Sequence, residues 1–286
     1  LILRLVNFAT ERWADSWRRE NKTIPDVPVI LSGSEHRWLG NQQVYYWYHN
    51  YTSCPYPVTV ALMVLEKWLY DEIDENRPIN NAIELILQRS TSVAFAGLLS
   101  AVARKSPVLF QGCLRSLLTV PEFYLWESQH QPSSKSDITI TITWLGQSEQ
   151  IIKLVRKWYE LPHRKQGLHK WSQYFFLNIP HMRTFFEEIR SNWLNRLQEN
   201  SKPDEIQRVL EELVDSYNIE NYRIQNYSEQ GDFWVFESPK KPNEKEKALR
   251  QNSERRLQLL SFPFRWQEIL NAGQPLPDEQ LEQFWN

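Results

Sequence analysis

Histidine side chains could bind a metal in this sequence, and their spacing decides whether they do. His163 and His169 lie six positions apart, and His181 follows further along the chain. Zinc and iron sites need three or four ligands, and two ligands on one helix normally sit three or four positions apart. The sequence contains no HExxH motif, no CxxC motif and no 2-His-1-carboxylate spacing. The spacing therefore predicts surface or capping histidines and no metal site.

The two cysteines, Cys54 and Cys113, are the candidate nucleophiles. Two cysteines exclude a disulfide framework, although a single bridge between them stays open. Cys54 follows His49 by five positions, so a Cys–His site that includes Tyr51 stays open as one hypothesis. A reactive thiolate needs an electropositive, partly exposed setting. Cys54 instead precedes a proline in a tyrosine-rich stretch, and Cys113 lies among apolar residues. Both positions favour structural thiols in a reducing cytoplasm, and the sequence predicts no catalytic residue.

Carboxylates and glycines give no further sign of catalysis. The run Glu66, Asp71, Glu72, Asp74 and Glu75 is typical of a solvated helix face rather than of an acid–base pair. The chain has only 8 glycines, with no GxGxxG and no GxxxxGK[ST]. Phosphate-binding loops need such glycines. The sequence therefore predicts no cofactor.

One basic and aromatic cluster between positions 156 and 171 suggests an interaction surface. Cationic side chains attract phosphates and aromatic rings stack on bases, so the cluster could bind nucleic acid. The net charge of −2 does not indicate a strongly basic nucleic-acid-binding protein. The simpler interpretation is a basic helix face with core aromatic residues behind it. The candidate surface comprises Arg156, Lys157, Trp158, His163, Arg164, Lys165, Lys170 and Trp171.

The elements that position these residues are predicted to be helices stacked around the most apolar stretch, 92–103. A helix that is apolar all round must be surrounded by protein, and about 12 residues are too few to span a bilayer. Ser92 is one of three candidate caps for this core helix. Before it, Val58, Leu62, Leu65 and Leu69 form one stripe at helical spacing, opened by Pro57.

Further helices are predicted at 1–20, 148–159, 168–177, 180–197 and 205–217. The alternating residues at 44–48 could form a short strand or an ordered loop, and prolines at 23–28 end the first helix. The strict period-two run at 138–144 scores as a strand. The stretches 222–227 and 233–237 predict a β-hairpin. We expect a mainly α fold, an irregular α-solenoid of HEAT- or armadillo-like helix pairs with a small β-hairpin near the C-terminus.

The 286 residues allow one large or two ordinary domains. We expect N-terminal helical layers with an aromatic loop at 1–130, a second helical segment ending in the hairpin at 137–238, and a charged linker with a docking tail at 239–286. Leu1 opens the sequence as if inside a helix, and no basic region of a signal peptide precedes it. These features predict a piece of a longer protein that lies in the cytoplasm.

Four short segments carry a resemblance to a known family: EKWLY at 66–70, SVAFAGLL at 92–99, VPEFYLWE at 120–127 and PHR at 162–164. The region 38–239 resembles the helical part that follows the nucleotide-binding domain in large bacterial ATPases of the STAND or defence-associated type. The resemblance implies a non-catalytic region of a bacterial antiviral defence protein. The nucleotide-binding motifs of that family have no counterpart in this sequence, so no catalytic residue is carried over.

Three functional hypotheses follow. The first is a non-catalytic helical scaffold or sensor region that contacts a partner protein or the remaining domains of its own polypeptide, without a membrane. The second is a nucleic-acid-binding helical module that uses the cluster at 156–171. The third is an enzyme with a site around Cys54, His49 and Tyr51.

Overall fold

The most apolar stretch of the chain forms a buried helix, Val93–Lys105, as the sequence predicts. Every residue from Val93 to Arg104 is buried in the computed structural model. The Ser92 hydroxyl caps the helix by accepting a hydrogen bond from the Ala94 N–H at 3.2 Å. Gly97 allows the chain around Tyr45 to approach the helix, because a Cβ at position 97 would collide with the Tyr45 carbonyl oxygen.

The structure describes residues 1–49, 54–134, 148–199, 205–227 and 231–237. Within these ranges the chain is mainly helical, which confirms the predicted fold class at this level. The helices are α1 (Ile2–Arg19), α2 (Gln42–Tyr45), α3 (Tyr56–Asp74), α4 (Asn80–Arg89), α5 (Val93–Lys105), α6 (Pro121–Ser134), α7 (Glu149–Tyr159), α8 (Leu168–Asn178), α9 (Pro180–Glu199) and α10 (Glu205–Ser216). The strands are β1 (Asp26–Leu31), β2 (Ser34–Leu39), β3 (Tyr222–Tyr227) and β4 (Gly231–Phe236).

Helices α3 and α4 pack against α5, and α1 packs against α3. Val58, Leu62 and Leu69 of α3 are buried, which confirms most of the predicted stripe, while Leu65 is partly buried. Thr10 of α1 donates a hydrogen bond of 2.7 Å to the Ser92 hydroxyl. Short 3₁₀ turns at Pro107–Gln111 and Arg115–Thr119 then lead into α6.

A β-hairpin near the N-terminus was not predicted. Strands β1 and β2 pair antiparallel from Asp26 opposite Leu39 to Leu31 opposite Ser34. Ser32 and Gly33 form the two-residue turn with φ angles of 50° and 81°. Positive φ at both central residues matches the twist of a two-residue hairpin, and glycine adopts it at little steric cost.

The aromatic stretch 44–48 forms neither of the two predicted structures. It ends α2 and begins a 3₁₀ turn, Trp47–His49. Tyr45, Trp47 and Tyr48 are all buried against the core. All five residues from Val44 to Tyr48 are buried, so the stretch packs into the core as tight helical turns.

The C-terminal half of the described chain agrees with the predicted helices at α7, α8, α9 and α10. The predicted hairpin near the C-terminus is confirmed, since β3 and β4 pair antiparallel from Tyr222 opposite Phe236 to Tyr227 opposite Gly231. Residues Leu1–Phe236 form one compact unit. The predicted strand at 138–144 and the predicted tail at 239–286 lie outside the described residues.

Candidate interaction surface

The eight residues of the predicted surface lie on the last turn of α7, on the 3₁₀ turn Pro162–Lys165 and at the start of α8. The structure does not expose them equally. Arg156, Lys157, Lys165 and Lys170 are exposed, whereas the side chains of Trp158, His163 and Trp171 are partly covered. The guanidinium of Arg164 points into the protein. The cluster therefore divides into four cations at the surface and a group that holds the segment in place.

Arg164 forms a buried ion pair with Glu66 of α3. Its side chain is 3% exposed and that of Glu66 is 0% exposed, and Arg164 Nη2 donates a hydrogen bond to Glu66 Oε1. The Tyr70 hydroxyl donates to the same oxygen at 2.8 Å. The Arg164 guanidinium lies 4.8 Å from the centre of the Trp158 ring and 5.5 Å from that of Tyr159. The sequence analysis placed Glu66 on a solvated helix face together with the other carboxylates of its run. That prediction is wrong for Glu66, whose side chain is buried.

Burial and ion pairing shift the pKa values of Glu66 and Arg164 in opposite directions. Burial raises the pKa of Glu66, although Arg164 beside it lowers that pKa. For Arg164, burial lowers the pKa, but Glu66 together with Tyr70, Tyr48 and Tyr159 more than offsets this effect, so the pKa is raised. His163 packs edge-on against Tyr70 at 4.8 Å, and burial together with Arg164 lowers its pKa to about 4. His163 is therefore neutral at physiological pH.

A second buried ion pair joins α5 to α6. Arg104 Nη1 lies 2.8 Å from Glu127 Oε2, with both side chains less than a tenth exposed. The Tyr45 hydroxyl donates to Glu127 Oε1 at 3.0 Å, and the Leu168 N–H donates to Oε2 at 2.8 Å. The carboxylate thus satisfies a free N–H at the positive end of α8. This network fixes where α8 begins.

Helix α7 is an amphipathic arm anchored at its C-terminal end. The Tyr159 hydroxyl donates to the His49 carbonyl at 2.9 Å, and Trp158 lies 5.4 Å from Tyr70. None of the α7 residues, all of which the structure describes, is fully buried. Its apolar side instead exposes 37% of Ile151 and 67% of Leu154. An apolar stripe on a surface helix normally faces other protein.

The outer side of α3 is a second exposed apolar surface, and sequence reasoning missed it. Tyr56, Val60, Val64 and Trp68 recur at every fourth position and are 76%, 38%, 57% and 43% exposed. Residues four apart form one ridge along a helix. The sequence does carry a signal for this ridge, since no charged residue occurs from Tyr56 to Leu65. We call these four residues the α3 ridge.

The candidate nucleophiles and candidate metal ligands that the sequence analysis considered do not assemble in the described residues. Cys54 and Cys113 are free, and burial raises the pKa of both thiols, that of Cys54 to about 11. His169 and His181 are exposed. Among the described residues, no three histidine, cysteine or carboxylate side chains come together as a metal site. Tyr51, the third member of the hypothetical cysteine site, lies outside these residues.

A groove of about 540 Å³ lies between the tip of the β1–β2 hairpin, α4, the 112–119 segment and α9. Phe185 forms one wall, and the Arg115 guanidinium lies 4.8 Å from its ring centre. The volume is in the range of small-molecule sites. Neither buried ion pair borders this groove, so it is separate from the candidate surface.

None of the helices in the described part of the chain is long and apolar enough to cross a bilayer. Comparison with protein-family models and with curated proteins finds no match to this chain.

Proposed function

We propose that this chain is a non-catalytic helical scaffold or sensor region of a larger bacterial protein. It acts through α7, which contacts a partner protein or another domain of the same polypeptide. The observation that carries this proposal is the combination in α7 of an exposed apolar stripe with a buried anchor. The Arg164–Glu66 pair holds one end of the helix, so the stripe is presented in a fixed orientation.

The chemistry of the buried groups supports a non-catalytic role. Arg164 and Tyr70 both bind Oε1 of Glu66, while Arg104, Tyr45 and the Leu168 N–H bind the carboxylate of Glu127. The two thiols have raised pKa values and are therefore protonated at neutral pH. A general base or nucleophile needs a pKa near the working pH and access to substrate. The buried carboxylates of Glu66 and Glu127 lack the access, and the two thiols lack the pKa.

The resemblance of the 38–239 region supports placing the chain in a STAND-type defence ATPase. In such a protein the helix pairs around α5 would form layers of an irregular α-solenoid. This arrangement remains a prediction, as does a cytoplasmic location. Nucleic-acid binding through the exposed cations Arg156, Lys157, Lys165 and Lys170 remains the alternative, with Arg164 removed from the set by its ion pair with Glu66.

Site-specific photocrosslinking tests the contact. A photoreactive residue at Leu154 in the full-length protein, expressed in its own cells, is expected to crosslink to a partner or to another domain. The matched control is Lys153, which is exposed on the polar side of α7 and pairs with Glu149 at 2.8 Å. Equal crosslinking from both positions, or crosslinks from Leu154 only to residues 135–147 or 238–286, would reject α7 as the contact surface. Turnover of a nucleotide or peptide by the isolated chain would reject the non-catalytic role.

A further inference from the structure

The α3 ridge is the most apolar surface that α3 leaves exposed. The inner side of the helix is buried through Val58, Leu62 and Leu69. The first ten residues of α3, Tyr56 to Leu65, include no charged residue. On the outer side of the helix, Val60 and Val64 nevertheless face solvent. A helix that is apolar all round is normally enclosed by protein on every side. The ridge therefore indicates a surface that is covered when the protein functions.

The dimensions of the ridge suit another helix. Tyr56 and Trp68 are twelve positions apart on a continuous helix, which corresponds to about 18 Å along the axis at 1.5 Å per residue. Ridges formed by every fourth residue pack into the grooves of a neighbouring helix at a crossing angle of about −50°. The occupant is then a helix that offers an uncharged face over about three turns.

We propose that the occupant is α3 of a second copy of this chain, packed antiparallel about a two-fold axis near Val64. The proposal uses α3 alone and does not depend on the proposed role of α7. Two-fold dimers are the commonest oligomers, and their interface uses the same patch on both subunits. The ridge has the charge pattern that such a patch needs, since none of its four residues is charged.

The order of residues along the ridge is self-complementary. In an antiparallel pair centred on Val64, the small Val60 of one copy faces the large Trp68 of the other. Lys67 and Asp71 flank this region, and they already form an ion pair of 2.5 Å within the same helix. The two-fold axis therefore brings no unpaired like charges together, which would otherwise oppose association. In this register Tyr56 comes level with Glu72 of the second copy, one position beyond Asp71, so its hydroxyl lies near a carboxylate to which it can donate.

The exposed area predicts a weak dimer. Tyr56 is 76% and Trp68 43% exposed; at about 200 Å² per aromatic side chain the two contribute about 240 Å² per copy. The two valines bring the patch to the order of 400 Å² per copy, against about 800 Å² per partner in a standard stable interface. We therefore expect association at micromolar to submillimolar concentration.

Sedimentation equilibrium of the 286-residue chain from about 1 to 300 µM tests the proposal. The wild-type chain is expected to shift from monomer to dimer, and Val64→Glu to remain monomeric, because it buries two carboxylates near the axis. Leu154→Glu is the matched control, since it places the same charge on the other exposed apolar surface and should dimerise normally. Far-UV circular dichroism verifies that both variants fold.

A disulfide probe locates the axis. In a chain with Cys54→Ser and Cys113→Ser, Val64→Cys should form an intermolecular disulfide under mild oxidation, whereas Lys153→Cys should not. A wild-type chain that stays monomeric over the whole range would overturn the proposal. So would a dimer that persists with Val64→Glu, or crosslinks from Val64 to another protein or domain in place of a second copy. If Leu154→Glu lost the contact with its partner but still formed the dimer, the result would bear on the proposed role of α7 and would leave the α3 dimer supported.

Discussion

Replacing Arg164 by methionine tests whether the buried ion pair with Glu66 holds the C-terminal end of α7 against α3. Methionine retains much of the apolar length of arginine but removes the charge. The Glu66 carboxylate, which is 0% exposed, would keep only the Tyr70 hydroxyl as a partner. Removing one member of a buried pair costs about 3–5 kcal/mol, because the remaining charge is buried without compensation. That loss is a large fraction of the about 5–15 kcal/mol that stabilises a typical domain.

The assay is urea unfolding followed by far-UV circular dichroism and tryptophan fluorescence. Arg164→Met should lower the free energy of unfolding by about 3–5 kcal/mol. The double variant Glu66→Gln/Arg164→Met should recover most of the loss, because neither charge is then buried. Lys67→Met is the control, since its ion pair with Asp71 is about half exposed and such pairs contribute about 0.3–0.5 kcal/mol.

The pH dependence of the single variant gives an independent check. Without Arg164, the pKa of Glu66 rises further above its unfolded value of 4.5, since Arg164 is the main group that lowers it. The folded state then binds a proton more readily than the unfolded state, so the deficit of Arg164→Met should shrink as the pH falls towards 4.5. A single variant within about 1 kcal/mol of wild type, or a double variant no more stable than the single one, would refute the structural role of the pair.

Three further predictions concern single positions. Gly97→Ala should destabilise the fold by about 1–3 kcal/mol or more, because the added methyl group meets the Tyr45 carbonyl oxygen and lies 2.8 Å from a Tyr48 ring carbon; thermal unfolding measures this. The pKa of His163 falls from 6.5 to about 4 on folding, so its contribution to stability is complete above pH 6.5 and is lost as the pH falls through 4; His163→Gln should reduce this acid sensitivity in denaturant titrations. Cys54, with a thiol pKa of about 11, should react with iodoacetamide at pH 7 more slowly than free cysteine, as followed by mass spectrometry.

Each of these has a defined contrary result. A Gly97→Ala chain with an unchanged melting temperature would show that the backbone at Tyr45 does not contact α5 closely at position 97. An identical acid-unfolding profile for His163→Gln would mean that another group causes the pH response. Alkylation of Cys54 at the rate of free cysteine would show that its thiol is accessible and not shielded by burial.

Periodicity predicted the helices well because packing onto one core imposes the spacing directly. The core helix α5 and the stripe on α3 follow from the pattern of apolar residues. The N-terminal hairpin was missed since Pro25 and Pro28 were interpreted only as helix breakers. The signal was present in the alternation of Val27, Val29 and Leu31 before a Ser-Gly turn.

The role of Glu66 and Arg164 could not be predicted from spacing. They lie 98 positions apart, and a charged residue within a run of charges is normally a solvated one. Only the packing of the 3₁₀ turn onto α3 makes Glu66 a buried partner. The same holds for the candidate surface, where a surface cation and a core cation look alike in sequence.

The carboxylate of Glu127 has a consequence for the order of events in folding. Its partners Tyr45, Arg104 and Leu168 lie 82, 23 and 41 positions away along the chain. Closing such long loops carries an entropy cost that local helices do not have, so the network should form after the helices have collapsed. Interactions absent from the transition state slow unfolding without speeding folding. We therefore expect substitution of Glu127 to raise the unfolding rate of the chain much more than it lowers the folding rate.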